Sequence, residues 1–201
     1  MTLLMVWRRR KYAVSVVSAS AISLLLLVCG IAGAKLLFFV ESGFRSFGGM
    51  SFFGSIILVF LLMPVVGLLF RLELLQTLDF CAPCVASIIS FMRFGCFCAG
   101  CCGGIMCTVG TYSFRWPTQL IEGFGDLAIL MYLLAAEKKG HCKGRLYPMF
   151  LVLYGVLRFF VEFVRETPKE LWALSEGQWL SLLCIIIGGS LVITLRRLVV
   201  K

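Results

Sequence analysis

The chain is poor in charge, and that scarcity sets the first bound. Of its 201 residues only 14% are Asp, Glu, Lys or Arg, while 61% are hydrophobic. A soluble domain covers itself with many more charged side chains than this, so a soluble globular fold is excluded. Histidine occurs once, at His141. There is no internal repeat, no low-complexity tail and no hydrophilic stretch long enough to fold as a separate soluble domain. The net charge of +9 is not concentrated on such a domain either. A nucleic-acid partner is therefore not expected, and anionic lipid head groups are the natural counterpart.

What fills the chain is apolar sequence. A helix needs about 20 apolar residues to cross the hydrocarbon core. Six segments are candidate spans, at residues 13–40, 50–70, 80–99, 124–136, 146–164 and 180–195, the fourth being short. The first is long, and is expected to tilt or bend near Gly30 and Gly33. The fold expected is an all-α polytopic membrane bundle over residues 1–201, a single integral-membrane domain with a broken Gly/Cys-rich segment after the third span. The basic start followed by an apolar run looks like a secretory signal. The run is too long for one and five more spans follow, so it reads as a retained helix.

Lysine and arginine set the orientation. Arg8, Arg9, Arg10 and Lys11, then Arg71, then Lys138, Lys139, Lys143 and Arg145, then Arg196, Arg197 and Lys201 fall on alternate sides of the spans. That places both termini in the cytoplasm. The opposite side carries mainly Arg45, Arg115, Arg165 and Lys169.

Five polar or glycine-rich clusters interrupt the apolar runs. The most informative is Tyr154-Gly-Val-Leu-Arg158-Phe-Phe-Val-Glu162-Phe-Val-Arg165. Helical steps of four, four and three return Tyr154, Arg158, Glu162 and Arg165 to one face. Ionisable groups at membrane depth cost roughly 2.5–3.5 kcal/mol each, so such a stripe must face a partner or a wet cavity. The segment Phe47-Gly48-Gly49-Met50-Ser51 opens the second span, with glycines whose free N–H groups suit an anion. Arg93 sits in the third span, and a guanidinium grips phosphate in a bidentate fork. Arg115-Trp116-Pro117-Thr118-Gln119-Leu120-Ile121-Glu122 reads as the start of the fourth span. Gln119 and Glu122, one turn apart, are expected to point into the same cavity as Arg93. Ser175-Glu-Gly177-Gln178-Trp179-Leu-Ser181 opens the sixth span, with Ser175 as a cap.

Seven of the ten cysteines lie within residues 81–107. Cys81-x-x-Cys84 is a spacing used by metals and redox pairs, but Cys96-x-Cys98-x-x-Cys101-Cys102 followed by Cys107 matches no regular ligand pattern. Cysteine is also an ordinary small apolar residue, and His141 lies on the opposite side by topology. No metal ligand and no cofactor are assigned. A disulfide at Cys101, Cys102 or Cys107 fits the oxidising side.

Together the five clusters resemble the bacterial prolipoprotein diacylglyceryl transferase family. Residues 48–54 are similar to its Gly-Gly-Met/Leu-Ser-Phe-His-Gly segment. Residues 79–83 and 93–97 resemble its Asp-x-x-Ala-Pro and Arg-x-Gly-Asn-Phe segments, and residues 116–122 its His-Pro-Ser-Gln-Leu-Tyr-Glu. Tyr154 to Arg165 matches its Tyr-Gly-x-x-Arg-x-x-x-Glu-x-x-Arg at every named position, and Gly177 to Ser181 its Gly-Gln-x-Leu-Ser. The clusters occur in family order.

The resemblance implies transfer of the diacylglyceryl group of phosphatidylglycerol to a lipobox cysteine thiol, with glycerol phosphate leaving. It implies a site in the bacterial cytoplasmic membrane, open toward the outer leaflet. Arg93, Arg158 and Glu162 would be the catalytic residues, with Glu162 orienting the arginines. Gly48, Gly49, Ser51, Gln119, Glu122, Tyr154, Arg165 and Gln178 would bind substrate. The partners implied are phosphatidylglycerol or another anionic phospholipid, and the lipobox segment of a prolipoprotein. This chain departs from the pattern at Phe53 for the family His, Cys96 for Asn, Cys101 for an acidic residue, Trp116 for His and Ile121 for Tyr. The family's first span is also expected to have no counterpart in this sequence. Two other functions fit some of these features: a non-catalytic anionic-lipid-binding protein on the same fold, and a cysteine-based redox or metal membrane protein.

Overall fold

A computed structural model describes residues 1–44, 52–109, 112–140, 144–166 and 174–200. Gly48, Gly49 and Ser51, like Arg45, His141 and Lys169, lie outside the described residues. The helices in chain order are α1 (Thr2–Arg8), α2 (Val16–Glu41), α3 (Phe52–Leu69), α4 (Leu74–Cys98), α5 (Thr118–Lys138), α6 (Leu146–Val161) and α7 (Glu176–Val200). Among the described residues four helices are long and apolar enough to cross a membrane, namely those holding Val16–Val40, Leu74–Cys98, Thr118–Lys138 and Gly177–Leu195, and Leu146–Val161 is a shorter apolar helix. The all-α membrane architecture read from the sequence is the one found. One element was not anticipated. Past α4 the chain forms a two-stranded antiparallel hairpin, β1 (Met106–Val109) and β2 (Tyr112–Arg115), pairing Met106 with Arg115 and Val109 with Tyr112.

The chain divides into two compact units, Met1–Phe80 and Cys81–Lys201. In the first, the chain reverses at Ala13, a non-glycine residue in the left-handed region (φ 53°), and Ser15 caps α2 by accepting from the Ser18 amide at 3.0 Å. The sequence placed Arg8 among the solvent-side charges of the N-terminus. Instead it is buried. Its Nη1 donates to the Phe80 carbonyl at 2.6 Å and its Nη2 to the Asp79 carbonyl at 3.1 Å, and it lies over the Tyr12 and Phe80 rings. The cause is written in α4. Pro83 has no N–H to give the carbonyl four residues earlier, and Arg8 donates to that Asp79 carbonyl instead.

The long helix α2 runs continuously from Val16 to Glu41. Gly33 serves close approach rather than a break in the helix. A Cβ on either Gly33 or Gly54 would collide with the other's carbonyl, so α2 and α3 meet backbone to backbone there, and Ser55 donates to the Gly30 carbonyl at 2.7 Å beside them.

In the second unit α6 and α7 pack along their length and α5 lies against α6. The C-terminal half of α4 is tied to α5 by Ser90, whose hydroxyl donates to the Gly123 carbonyl at 2.8 Å, and by the Phe94–Phe124 ring pair at 5.3 Å. The segment between α4 and the hairpin joins the end of α6. The Ile105 amide donates to the Val164 carbonyl at 2.9 Å, and Gly104 forms an antiparallel bridge with Arg165.

Candidate functional site: an arginine cluster around one buried carboxylate

Three helices of the second unit bring their charged residues together. Glu122 lies in the second turn of α5, a helix that begins after Pro117 as the sequence suggested. Its carboxylate is buried and takes three arginines from three segments. Oε2 lies 2.6 Å from Nε of Arg93 on α4. Oε1 pairs with Nη1 of Arg158 on α6 and lies 3.6 Å from Nη1 of Arg165. A second buried carboxylate, Glu162, sits 3.1 Å from Nη2 of Arg158, one helical turn away. Three guanidiniums thus contact two carboxylates.

The family resemblance implies that Glu162 orients the arginines. The carboxylate on which the three arginines meet is Glu122. Among the described residues Glu162 pairs with Arg158 and is itself held from α7. Ser175 donates from its hydroxyl to Glu162 Oε1 at 3.0 Å, while Gln178 Oε1 accepts the Ser175 amide at 3.0 Å and the Gln178 amide donates to the Ser175 hydroxyl at 3.3 Å, forming the reciprocal cap that opens α7. Gly177 is required at this point. A Cβ there would sit 2.9 Å from the Glu162 carboxylate. Nε2 of Gln178 is buried with no hydrogen-bond partner, so this donor is available.

The stripe on α6 also ends differently from its sequence reading. The helix stops at Val161, and residues 162–165 continue as a tightened turn in which the Arg165 amide bonds the Glu162 carbonyl at 3.4 Å. In such i to i+3 turns the side chains three residues apart eclipse, so Arg165 still meets the cluster. Its Nη1 is buried and lacks a hydrogen bond. Arg93 Nε likewise contacts Glu122 as an ion pair without a well-directed hydrogen bond. Donors therefore remain for a further anion. Tyr154 stacks on Phe150 at 5.6 Å and lies within electrostatic reach of Arg158.

Gln119 departs from expectation. Its amide does not join the arginines but donates to the Cys101 carbonyl at 2.6 Å, fastening the segment after α4. Asp126 is the residue that sequence reasoning missed. It is 1% exposed, one turn beyond Glu122 on α5, within electrostatic reach of Arg93 and Arg158, and its Oδ1 has no hydrogen-bond partner. A second carboxylate four residues after Glu122 inside an apolar helix was the available signal. Beside the cluster an apolar groove of about 500 Å³ runs between α5 and α6, lined by residues including Ile121, Gly125, Leu157, Phe160 and Val164. Ile121 and Leu157 are the immediate chain neighbours of Glu122 and Arg158, so the groove begins where the charges end.

A buried polyarginine centre on the same helices as an apolar groove suits an amphiphile with an anionic head. The family model described as prolipoprotein diacylglyceryl transferase matches residues 1–194 of this chain. Similar proteins include the phosphatidylglycerol–prolipoprotein diacylglyceryl transferase 2 of Clostridium perfringens, 30% identical over 200 residues, covering 88% of this chain and 78% of that protein. The phosphatidylglycerol–prolipoprotein diacylglyceryl transferase of Clostridium tetani is 35% identical over 129 residues, 58% of this chain and 52% of that protein. The enzyme of the same name from Ehrlichia ruminantium is 31% identical over 160 residues, 70% of this chain and 61% of its own length. The chain thus spans just over half to about three quarters of these relatives.

Proposed function

The chain belongs to the prolipoprotein diacylglyceryl transferase family, and from that premise we propose that it transfers the diacylglyceryl group of phosphatidylglycerol to the thiol of a lipobox cysteine. The observation that carries this reading is the convergence of Arg93, Arg158 and Arg165 on Glu122, next to the apolar groove. The lipid phosphate sits on the arginines, and an acyl chain lies in the groove. The sulfur forms a bond to the terminal glyceryl carbon as that carbon's bond to the phosphate oxygen breaks. The electron pair goes to the phosphate, and the thiol proton ends on the departing glycerol phosphate or in solvent. Arginine donors stabilise the charge that develops on the leaving phosphate. The same positive field favours the thiolate over the thiol, which raises the nucleophilicity of the acceptor.

Glu122 has the positioning role. It fixes three long side chains whose mutual repulsion would otherwise separate them. Glu162 aligns Arg158 from the other side, and Ser175 and Gln178 brace Glu162. Gly48, Gly49 and Ser51 remain assigned to the head group on sequence alone. The six apolar segments are read as spans of a bacterial cytoplasmic membrane protein, with both termini cytoplasmic and the site facing the outer leaflet.

The test is transfer itself. Purified protein in phosphatidylglycerol micelles, mixed with a lipobox peptide, should add one diacylglyceryl mass to the peptide, and the Arg158→Ala variant should not. Unmodified peptide under conditions where a related enzyme is active overturns the proposal.

A further inference from the structure

The cysteines that the function leaves unused are not scattered. Sγ atoms of Cys96, Cys101 and Cys102 all lie within 4.8 Å of one another. Their sequence spacing fits no regular ligand motif, and the reason they meet is the way α4 ends. The Cys101 amide bonds the Cys96 carbonyl at 3.1 Å and the Gly100 amide bonds the Phe97 carbonyl at 3.1 Å, with Gly100 in the left-handed region (φ 68°). These are the two bonds of a Schellman cap, and they fold the chain back over the last helical turn. Cys102 is also left-handed (φ 63°), which continues the reversal and returns its side chain toward Cys96.

The backbone of this loop is fixed from outside as well. Gln119 holds the Cys101 carbonyl at 2.6 Å, and the Thr118 hydroxyl donates to the Cys102 carbonyl at 3.2 Å. The carbonyls are engaged by α5 while the three sulfurs face one another. Cys101 and Cys102 are exposed and Cys96 is partly so, which leaves a path for an ion. Cys98, on the same segment, and Cys107, on β1, are outside the group.

We infer that Cys96, Cys101 and Cys102 form a three-thiolate site for a soft thiophilic cation, of the class of monovalent copper or divalent zinc, that clips the end of α4 to the segment after it. Sulfurs around an ion bound at about 2.3 Å stand roughly 3.8–4 Å apart, so the trio needs to close by less than about 1 Å. Thiolates select soft cations over magnesium or calcium. On ligation each thiol releases its proton to solvent, and the metal–sulfur bonds replace the S–H bonds. The clip acts on the helix that carries Arg93, one turn before Cys96. It is an addition to the lipid site and stands independently of the transferase reading.

The experiment uses the full chain purified in detergent, reduced and then freed of reductant without oxygen. It is titrated with Cu(I) and, separately, with Zn(II), each against a chromophoric chelator. One equivalent should bind per chain. The Cys101→Ser variant should weaken binding by at least about tenfold, the loss typical even of more distant supporting groups, whereas Cys98→Ser and Cys184→Ser should leave it unchanged. Copper binding alone identifies a three-coordinate site, and zinc binding alone one completed by water; both support the inference. The thermal midpoint should rise with the bound ion in the unaltered chain and not in the Cys96→Ser variant. Binding no tighter than that of the Cys96→Ser, Cys101→Ser, Cys102→Ser triple variant overturns it. So does a resting disulfide joining Cys96 to Cys101 or Cys102, found by alkylation and peptide mapping of protein taken directly from membranes.

Discussion

Each of the two compact units buries arginine, and the two uses are opposite. In the unit Met1–Phe80, Arg8 donates to two backbone carbonyls and lies against two aromatic rings. It supplies a donor to the Asp79 carbonyl, to which Pro83 has no N–H to offer, so its role is architectural. In the unit Cys81–Lys201, Arg93, Arg158 and Arg165 converge on side-chain carboxylates, and Arg165 Nη1 is buried without a hydrogen bond. Burial of a guanidinium is therefore not itself the mark of a site. What distinguishes the two is whether the donors are matched by fixed backbone acceptors or converge on shared side-chain carboxylates.

This contrast can be broken by substitution. The largest effect on transfer should come from Arg158→Ala, which touches both carboxylates. Its turnover should fall by about 10²–10³-fold or more, the loss seen when one transition-state donor is removed. Arg158→Lys should recover only part of that, because a point ammonium cannot bridge Glu122 and Glu162 in a fork. Near-complete rescue by lysine, read in the same assay, would reduce the site to a simple charge.

Arg8→Ala should do the reverse. Thermal unfolding in detergent should show a loss on the order of 3 kcal/mol, the cost of unpairing a buried charged hydrogen-bond set, while the folded fraction keeps its turnover per molecule. A variant that keeps its stability and loses turnover would erase the distinction between the units. Gly177→Ala should be intermediate, because its Cβ would press on the Glu162 carboxylate at 2.9 Å and that carboxylate is already held by Ser175 and Arg158. A strain of about 1–3 kcal/mol is expected, visible as a loss of transfer with little change in detergent-extracted yield. The smallest effect should be Arg115→Ala. Its pair with Glu166 is more than half exposed on both sides, and such pairs contribute about 0–1 kcal/mol. Transfer by that variant should match the unaltered chain.

The sequence carried most of the fold because the dominant signal, apolar length, is the one a membrane imposes. It also singled out Arg93, Glu122, Arg158, Glu162 and Arg165 of the candidate cluster, though not Asp126, since ionisable groups stand out in helices built of Leu, Phe and Val. Three features were not legible, each for a physical reason. Helical periodicity gives the face on which Arg93 or Glu162 lies but not which helices face each other, so the common carboxylate was placed on Glu162 instead of Glu122. The hairpin of β1 and β2 leaves no alternating pattern, because all four described residues of β2 are exposed and no core face is selected. The cysteine trio arises from a helix cap, and cap geometry brings together residues whose spacing means nothing as a linear motif. Arg8 was misread for a related reason. The rule that assigns basic flanks to solvent has no knowledge of a carbonyl vacated by a proline 75 residues later.

The central claim is that Glu122 organises the arginines, and one comparison tests it most directly. Glu122→Gln and Glu162→Gln keep the side-chain shape and remove only charge. In the peptide-transfer assay Glu122→Gln should lower turnover by about 100-fold, in the range of losing an electrostatic stabiliser, and Glu162→Gln by roughly tenfold less than that. If Glu122→Gln retains turnover close to the unaltered chain, or if Glu162→Gln is the more damaging change, the arginines are organised elsewhere and the account fails.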